Sequence, residues 1–420
     1  MTSEVRRADI AIVGAGAAGL ATAIFARRAN AARSVCLLEG ARKPGAKILV
    51  SGGSRCNVTN RVVSETDFWG GKRSLIRRVL RAFTADDAVR LFRDLGVPLH
   101  EETDGKLFPD TNSARDVLNA LLRAVEGDGA RLCADRRAIA LSRVDGGFRI
   151  TTTRDELVCR WVVLATGGQS LPKSGSDGLG LTFAAQLGHT IVPTTPALAP
   201  LILDGSNNAM HRTLAGVSHE LELSVWVDGR IRTRLRGSLL WTHFGISGPV
   251  ALNASRHWLR ARTEHRHATI TANFCPGRTF EDLEQLWMAA TSTRPKSSIA
   301  SAVAGRLPAS MAAALLERLH IDPTRPLAHL TRDERRALVH ALVRWPLPVE
   351  DSRGYNFAEA TAGGVSLDEV DMATMESRVC PGLFLVGEML DVDGRIGGFN
   401  FQWAWASGYV AGRALGRRSG

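Results

Sequence analysis

The chain has 420 residues, of which 45% are hydrophobic and 23% charged, and it carries a formal net charge of +11. That length can support more than one cored unit, and the composition excludes low-complexity, collagen-like and disordered classes. No apolar run reaches the ~20 residues that span a bilayer, and the opening MTSEVRRADIAIVGAG passes straight from a short apolar stretch into glycines, so we expect a cytoplasmic protein without a signal peptide.

Residues 8–13 (ADIAIV) predict a short strand, GAGAAG a tight turn, and LATAIFARRA a closely packed helix that leads to a second strand at 34–39. Residues 75–95 predict an amphipathic helix. Residues 113–129 predict another, with Ser113 as its cap and glycines at its end. AIALSRVDGGFRITTT predicts a hairpin turning at Asp145, Gly146 and Gly147, and residues 157–168 a buried strand ending in a second glycine turn. Beyond the proline-containing stretch 191–201, residues 195–275 read as β-rich, with a DG turn inside HELELSVWVDGRIRTRLRGSLLWT. Residues 279–344 turn helical, and Thr331 with Glu334 spells a capping box. Glycine-rich strands return at EATAGGVSL and GLFLVGE. The implied architecture is an α/β, Rossmann-like first part at 1–194, a β-rich insertion at 195–275 and a helical insertion at 276–345. Residues 346–420 then return to the β-rich insertion and complete the first unit.

Gly14, Gly16 and Gly19 form GxGxxG inside this strand–turn–helix frame, and Glu39 stands at the end of the second strand. Gly14 permits the turn, Gly16 lets a diphosphate approach the backbone, and Gly19 lets helix pack on strand. The diphosphate would sit on a helix N-terminus, with Glu39 accepting from an adenosine ribose; an acid there disfavours the 2′-phosphate of NADP. The later glycine turns, ATGG at 165–168 and the one closing GLFLVGE, suit the far end of a longer dinucleotide such as FAD.

The six cysteines (36, 56, 133, 159, 275 and 380) are scattered without a CxxC, which fits reduced thiols and argues against disulfide-reductase chemistry. Nothing resembles a metal-ligand grouping. The positive charge is nearly all arginine and reads as spread over solvated faces, so nucleic acid is not the expected partner; steering of an anionic substrate is compatible with it. Cys56, in SRCNVTN, reads as a small buried residue rather than a redox thiol.

KILVSGGSRCNVTN, LATGGQSLPKSGSDGLGLTFAAQLGH, THFGISGP and GLFLVGEMLDVDGRIGGFNFQWAWASGYVAG together resemble the BaiN/YhiN-like (aminoacetone-oxidase-like) flavoproteins over residues 8–415. The resemblance implies an FAD domain of the glutathione-reductase and fumarate-reductase type, with an inserted β-barrel-like domain and a small helical one. It assigns Gly14, Ala15, Gly16 and Ala18 to the diphosphate and Glu39 to the ribose. Lys47, Ser54 and Asn57 go to a loop over the flavin, and Ala138 to the adenine. Thr166 and Gly167 flank the dinucleotide, while Gly387, Glu388 and Asp391 reach the ribitol and diphosphate. Gly398, Phe399 and Asn400 open a helix whose free N–H groups face the flavin. The activity implied is hydride transfer at flavin N5 to or from a small organic substrate, an enone or an amine, with NAD(P)H or another donor closing the cycle. One branch resembles enzymes that reduce enone bonds of bile-acid steroids. Arg55, His243 and Arg395 are the candidates for the substrate side; Arg395 departs from the pattern of many relatives. An RNA-modifying flavoprotein and a flavin-bearing electron carrier are the rival readings.

Overall fold

The computed structural model describes residues 5–205 and 210–418. The chain divides into two compact units, one made of residues 1–195 and 358–420, the other of residues 196–357. In chain order the first unit supplies β1 (Val5–Val13), α1 (Ala17–Ala29), β2 (Val35–Leu38), α2 (Ala46–Ser54), β3 (Arg131–Cys133) and β4 (Glu156–Leu164). The second supplies β5 (Ser218–Val227), β6 (Arg230–Thr242), α3 (Pro249–Thr263) and β7 (Ala268–Asn273). The chain then returns with β8 (Leu383–Leu385) and α4 (Phe399–Arg417).

In the first unit the parallel order is β8–β4–β1–β2–β3. The inner strands read as unbroken apolar runs because both faces of a parallel sheet are covered; Ile10, Ala11, Ile12, Val162, Val163 and Leu164 are fully buried. Register sets their C-terminal ends in one row. Val13 lies opposite Leu38 and Leu164, and Leu164 lies opposite Leu385. The segments that follow, starting at Glu39, Gly14, Ala165 and Val386, therefore leave the same edge of the sheet. In doubly wound sheets that edge is where ligands bind.

α4 packs along α1. Gly408, Gly412 and Gly416 recur every fourth residue, so they share one helix face. A Cβ on Gly408 would lie 2.7 Å from the Ala18 carbonyl oxygen, and one on Gly412 would lie 2.7 Å from that of Thr22. The two backbones touch because neither glycine has a side chain.

The second unit is an antiparallel sheet with β7, β5 and β6 adjacent, and α3 joins its core through Val250, Ala251, Ala254 and Trp258. The β5–β6 turn falls at Asp228 (φ 49°) and Gly229 (φ 76°), both left-handed, as two-residue hairpin turns require. Helices Phe280–Thr293, Ala309–Arg318 and Arg332–Val343 bury their apolar faces in the same core. The 15-residue α3, started by Pro249 after Gly248, lies inside the stretch that the sequence suggested was β-rich. Residues 75–95, read as one helix, form two, because Thr84 caps a new start by accepting from the Asp87 N–H.

Candidate flavin site

The site begins at the ends of β1 and β2. Gly14 has φ 106°, and a Cβ there would sit 2.5 Å from the Ala165 carbonyl oxygen, so the turn after β1 admits only glycine. A Cβ on Gly19 would overlap the Gly14 carbonyl outright. Gly16 differs: nothing lies within 4 Å of where its Cβ would be. It opens α1, whose first N–H groups have no intrahelical partner and no side-chain cap. Open space in front of free N–H groups at a helix start is the shape and polarity a diphosphate needs. Glu39 frames the other side, its carboxylate accepting from Ala15 N–H at 3.0 Å and from Ala41 N–H at 2.9 Å. Ala18 packs inside the helix, and Ala138 is buried at the start of strand Ala138–Val144, two residues after Arg136, whose N–H bonds the Glu39 carbonyl at 2.8 Å.

Thr166 and Gly167 leave β4 beside this turn. The neighbouring helix Leu179–Gln186 approaches so closely that a Cβ on its Gly180 would overlap the Thr166 hydroxyl. Gly387 follows β8 with φ 74°, its peptide held by the closing helix: Ser407 Oγ accepts its N–H at 3.0 Å, and Trp403 Nε1 donates to its carbonyl at 3.1 Å. Asp391 ties its N–H to the Val365 carbonyl at 2.9 Å and accepts at its own carbonyl from Gly71 N–H at 2.8 Å.

Lys47 and Glu388, 341 residues apart, form an ion pair in this unit. Lys47 Nζ also donates to Ser170 Oγ at 2.7 Å, and that hydroxyl donates to Glu388 Oε1 at 2.8 Å. Thr361 completes the network, its N–H donating to Glu388 Oε1 at 3.1 Å while its hydroxyl accepts from the Gln169 and Ser170 N–H groups. Ser170 and Thr361 were missed as site residues, although they belong to the GGQS and TAGGV stretches, whose glycines marked the strand ends.

The loop after Lys47 is left-handed at Gly52, Gly53, Ser54 and Cys56, a conformation that non-glycine residues adopt only when their surroundings enforce it. Ser54 is exposed on it. In the orientation its neighbours require, the Asn57 amide donates to the Thr59 carbonyl at 2.8 Å and accepts from Gly398 N–H at 3.1 Å, fixing the start of α4. Gly398 approaches Thr59 so closely that a Cβ would lie 2.5 Å from its carbonyl oxygen. Phe399 is fully buried against Phe68, and the Asn400 side chain closes on Gly394 through both its oxygen and its nitrogen. At this end the helix offers backbone N–H groups rather than those two side chains.

Of the substrate-side candidates, two are ion-paired. Arg55 pairs with Glu102 at 2.6 Å and lies over the Phe108 ring; Arg395 pairs with Asp67 at 2.8 Å and lies over Phe399. His243 is exposed in the second unit, edge-on to Phe244. Cys56 is fully buried, and burial pushes its thiol up to about 12, so it is inert at neutral pH. Contrary to the scattered look of the cysteines, Cys36 and Cys133 face each other on neighbouring strands with sulfurs 3.3 Å apart. Their shared hydrogen bond raises Cys36 and lowers Cys133 to about 6. Ser377, His189 and Glu369 make a hydrogen-bonded chain of 2.8 and 2.9 Å. The buried Ser377 hydroxyl already accepts from two backbone N–H groups, so it acts as a structural acceptor and not a nucleophile. Among the described residues no group of three or more His, Cys, Asp or Glu could hold a metal ion, and no helix is long and apolar enough to cross a membrane.

The family described as "HI0933-like protein Rossmann domain" matches residues 8–414. The chain is 32% identical over 411 residues to a protein of Escherichia coli (strain K12) named ribosomal RNA dihydrouridine synthase, covering 98% of each. It is 32% identical over 409 residues to a protein of Clostridium scindens named 3-dehydro-bile acid delta(4,6)-reductase, covering 97% of this chain and 99% of that one. Among solved structures, the FrdA chain of an E. coli quinol fumarate reductase aligns with a TM-score of 0.51 at 18% identity, over 98% of this chain and 70% of that one, a likeness of fold. With this match over nearly its whole length, the chain belongs to the HI0933-like Rossmann family of FAD-binding oxidoreductases.

Proposed function

We propose that this oxidoreductase reduces a carbon–carbon double bond conjugated to a carbonyl, with NAD(P)H as the electron source and a uracil ring in RNA as the substrate. One observation carries the reading. Two full-length relatives at the same 32% identity are named for unlike substrates but for one kind of chemistry. Making dihydrouridine saturates a ring double bond conjugated to a carbonyl, and so does a delta(4,6) reduction of a 3-keto steroid. In the net reaction NAD(P)H and a proton are consumed, the double bond gains one hydride and one proton, and NAD(P)+ is left.

FAD, when bound, supplies hydride transfer between donor and substrate. The chain's own residues bind and orient it. The turn from Gly14 to Ala18 would take the diphosphate, Glu39 the adenosine ribose, and Thr166, Gly167 and Gly387 the middle of the molecule. Free N–H groups at the start of α4 would stabilise negative charge on the reduced ring. Lys47 keeps a cation in the same unit through Ser170 and Glu388.

RNA is favoured over a small enone because two full-length relatives, at 32% and 29% identity, are named ribosomal RNA dihydrouridine synthase. The second reading, a small steroid-like enone, is supported by the equal identity to the bile-acid reductase. Anaerobic reduction of the bound flavin by NADH or NADPH, followed by mixing with acceptors, tests both. Fast reoxidation by ribosomal RNA supports the first reading, and fast reoxidation only by a 3-keto-Δ4 steroid supports the second. Reoxidation by neither overturns the reductive assignment.

A further inference from the structure

β6 carries arginine at every second position from Arg230 to Arg236, and Arg230, Arg232, Arg234 and Arg236 are all exposed. The sequence reading spread the charge evenly; the fold gathers four cations on one strand. Among the described residues none of the four joins an ion pair or a side-chain hydrogen bond. Many other arginines do have carboxylate partners, as Arg136 has Asp155 and Arg335 has Glu284. Register places Arg234 opposite Ser224 and Arg236 opposite Glu222, and the strand bulges where Arg232 stands between residues paired with Trp226 and Val225. On its other side β6 pairs only through Leu240, Trp241 and Thr242, so among the described residues the arginine half is an open sheet edge.

The bulge at Arg232 interrupts the alternation: Arg234 and Arg236 share the face of Ser224, Glu222 and Trp226, while Arg230 shares the other face with Val227. Arg234 and Arg236, as alternate residues, stand about 6.8 Å apart, comparable with the phosphate separation along a nucleic-acid strand. Beside the row, the Arg344 guanidinium lies 4.4 Å from the centre of the Trp226 ring, whose Nε1 is held by Thr271 Oγ1 at 2.9 Å. Aromatic and guanidinium planes of this kind are what RNA-binding surfaces offer to unpaired bases. A membrane face would combine its cations with large apolar groups that insert; on this half of the strand only Ile231 is of that type. Charges on an open edge also keep sheets from pairing with one another, but four unpartnered arginines exceed what that protection needs.

The geometry points to the β5–β6 hairpin as an RNA-docking surface, on which Arg234 and Arg236 bind adjacent phosphates, Arg230 and Arg232 add positive charge towards the turn, and Trp226 with Arg344 receives a base. This rests on the reading that RNA is the substrate. The test uses full-length flavin-loaded protein and ribosomal RNA fragments, with affinity measured across a salt series. Replacing all four arginines (R230Q, R232Q, R234Q, R236Q) should weaken binding by about two orders of magnitude near 0.1 M salt and flatten the salt slope by about 3. Arg→Lys at the same four positions should keep most of the slope. A charge-matched control on other exposed arginines (R73Q, R294Q, R318Q, R332Q) should lose little. Reduction of the flavin by NAD(P)H should be unchanged in every variant, which reports an intact fold. Equal losses in the scattered control, unchanged binding in the β6 variant, tighter binding to anionic vesicles than to RNA, or self-association as the sole effect of the Gln set would each overturn the proposal. RNA that binds through β6 but is never reduced would sink the functional reading and leave the docking surface standing.

Discussion

Gly387 and Ser407, twenty residues apart, share one buried hydrogen bond: the glycine N–H donates to the serine Oγ at 3.0 Å. Trp403 holds the other side of the same peptide. The last helix thereby fixes the turn after β8 in its left-handed form. Ser407→Ala leaves a buried N–H without an acceptor, which costs about 1–3 kcal/mol. Urea unfolding should show that loss, and equilibrium dialysis should show weaker FAD retention. Unchanged FAD affinity in a variant that is destabilised would mean that the turn holds its shape unaided.

Gly16 and Gly19 separate cofactor binding from folding. Gly19→Ala places a methyl inside the Gly14 carbonyl, so soluble folded protein should fall sharply. Gly16→Val meets open space, so the apoprotein should melt within a few degrees of the parent while FAD binding is lost. If the Gly16 variant binds FAD normally, the diphosphate does not lie where we place it.

The Lys47–Glu388 pair should matter to the flavin more than to the fold. Both side chains are about three-quarters or more buried, with Ser170 between them. Glu388→Gln keeps the shape but removes the counter-charge. We expect a change in flavin reduction potential or in NAD(P)H-driven reduction of roughly tenfold, with only about 1–2 kcal/mol lost in unfolding. Lys47→Met should do more, because it leaves a largely buried carboxylate unpaired. Wild-type reduction kinetics in both variants would place the pair outside the chemistry.

Glu369 gives the first unit an acid-sensitive joint. Burial raises its pKa, but hydrogen bonds from Thr190 and His189 outweigh that and hold it below its ordinary 4.5. A carboxylate whose folded value is depressed stabilises the fold above the unfolded value and loses that contribution as pH falls through the folded one. The gap in stability between wild type and Glu369→Gln should therefore be widest near neutral pH, about 1–3 kcal/mol, and close below pH 4.5. A gap that stays constant down to pH 3 would contradict this assignment.

What could be read from the sequence was local. The turn at Gly14–Gly19 declares itself because its constraints lie within six residues. The cap at Thr331 shows in the same way, with Glu334 bonding back to the Thr331 N–H at 2.9 Å. What could not be read depends on register between distant strands. Cys36 and Cys133 meet because β2 and β3 pair in parallel, which no spacing reveals. Ser170 and Thr361 join Lys47 and Glu388 only once β4 and β8 are neighbours. The partner of α4 could not be read either, because its glycines signal close approach without naming the surface approached. The arginines of β6 were visible, but their significance needed the open edge and the absence of carboxylate partners.

Reduction of a conjugated double bond in an RNA uracil can be read from the product itself. Flavin-loaded protein, NADPH and NADH are incubated anaerobically with ribosomal RNA lacking dihydrouridine, and the RNA is digested to nucleosides for mass spectrometry. The expected product is a uridine that has gained one hydride and one proton, formed in proportion to the nicotinamide oxidised. Nicotinamide-reduced flavin that leaves every uridine unchanged, while the same sample saturates a keto-steroid, would contradict it.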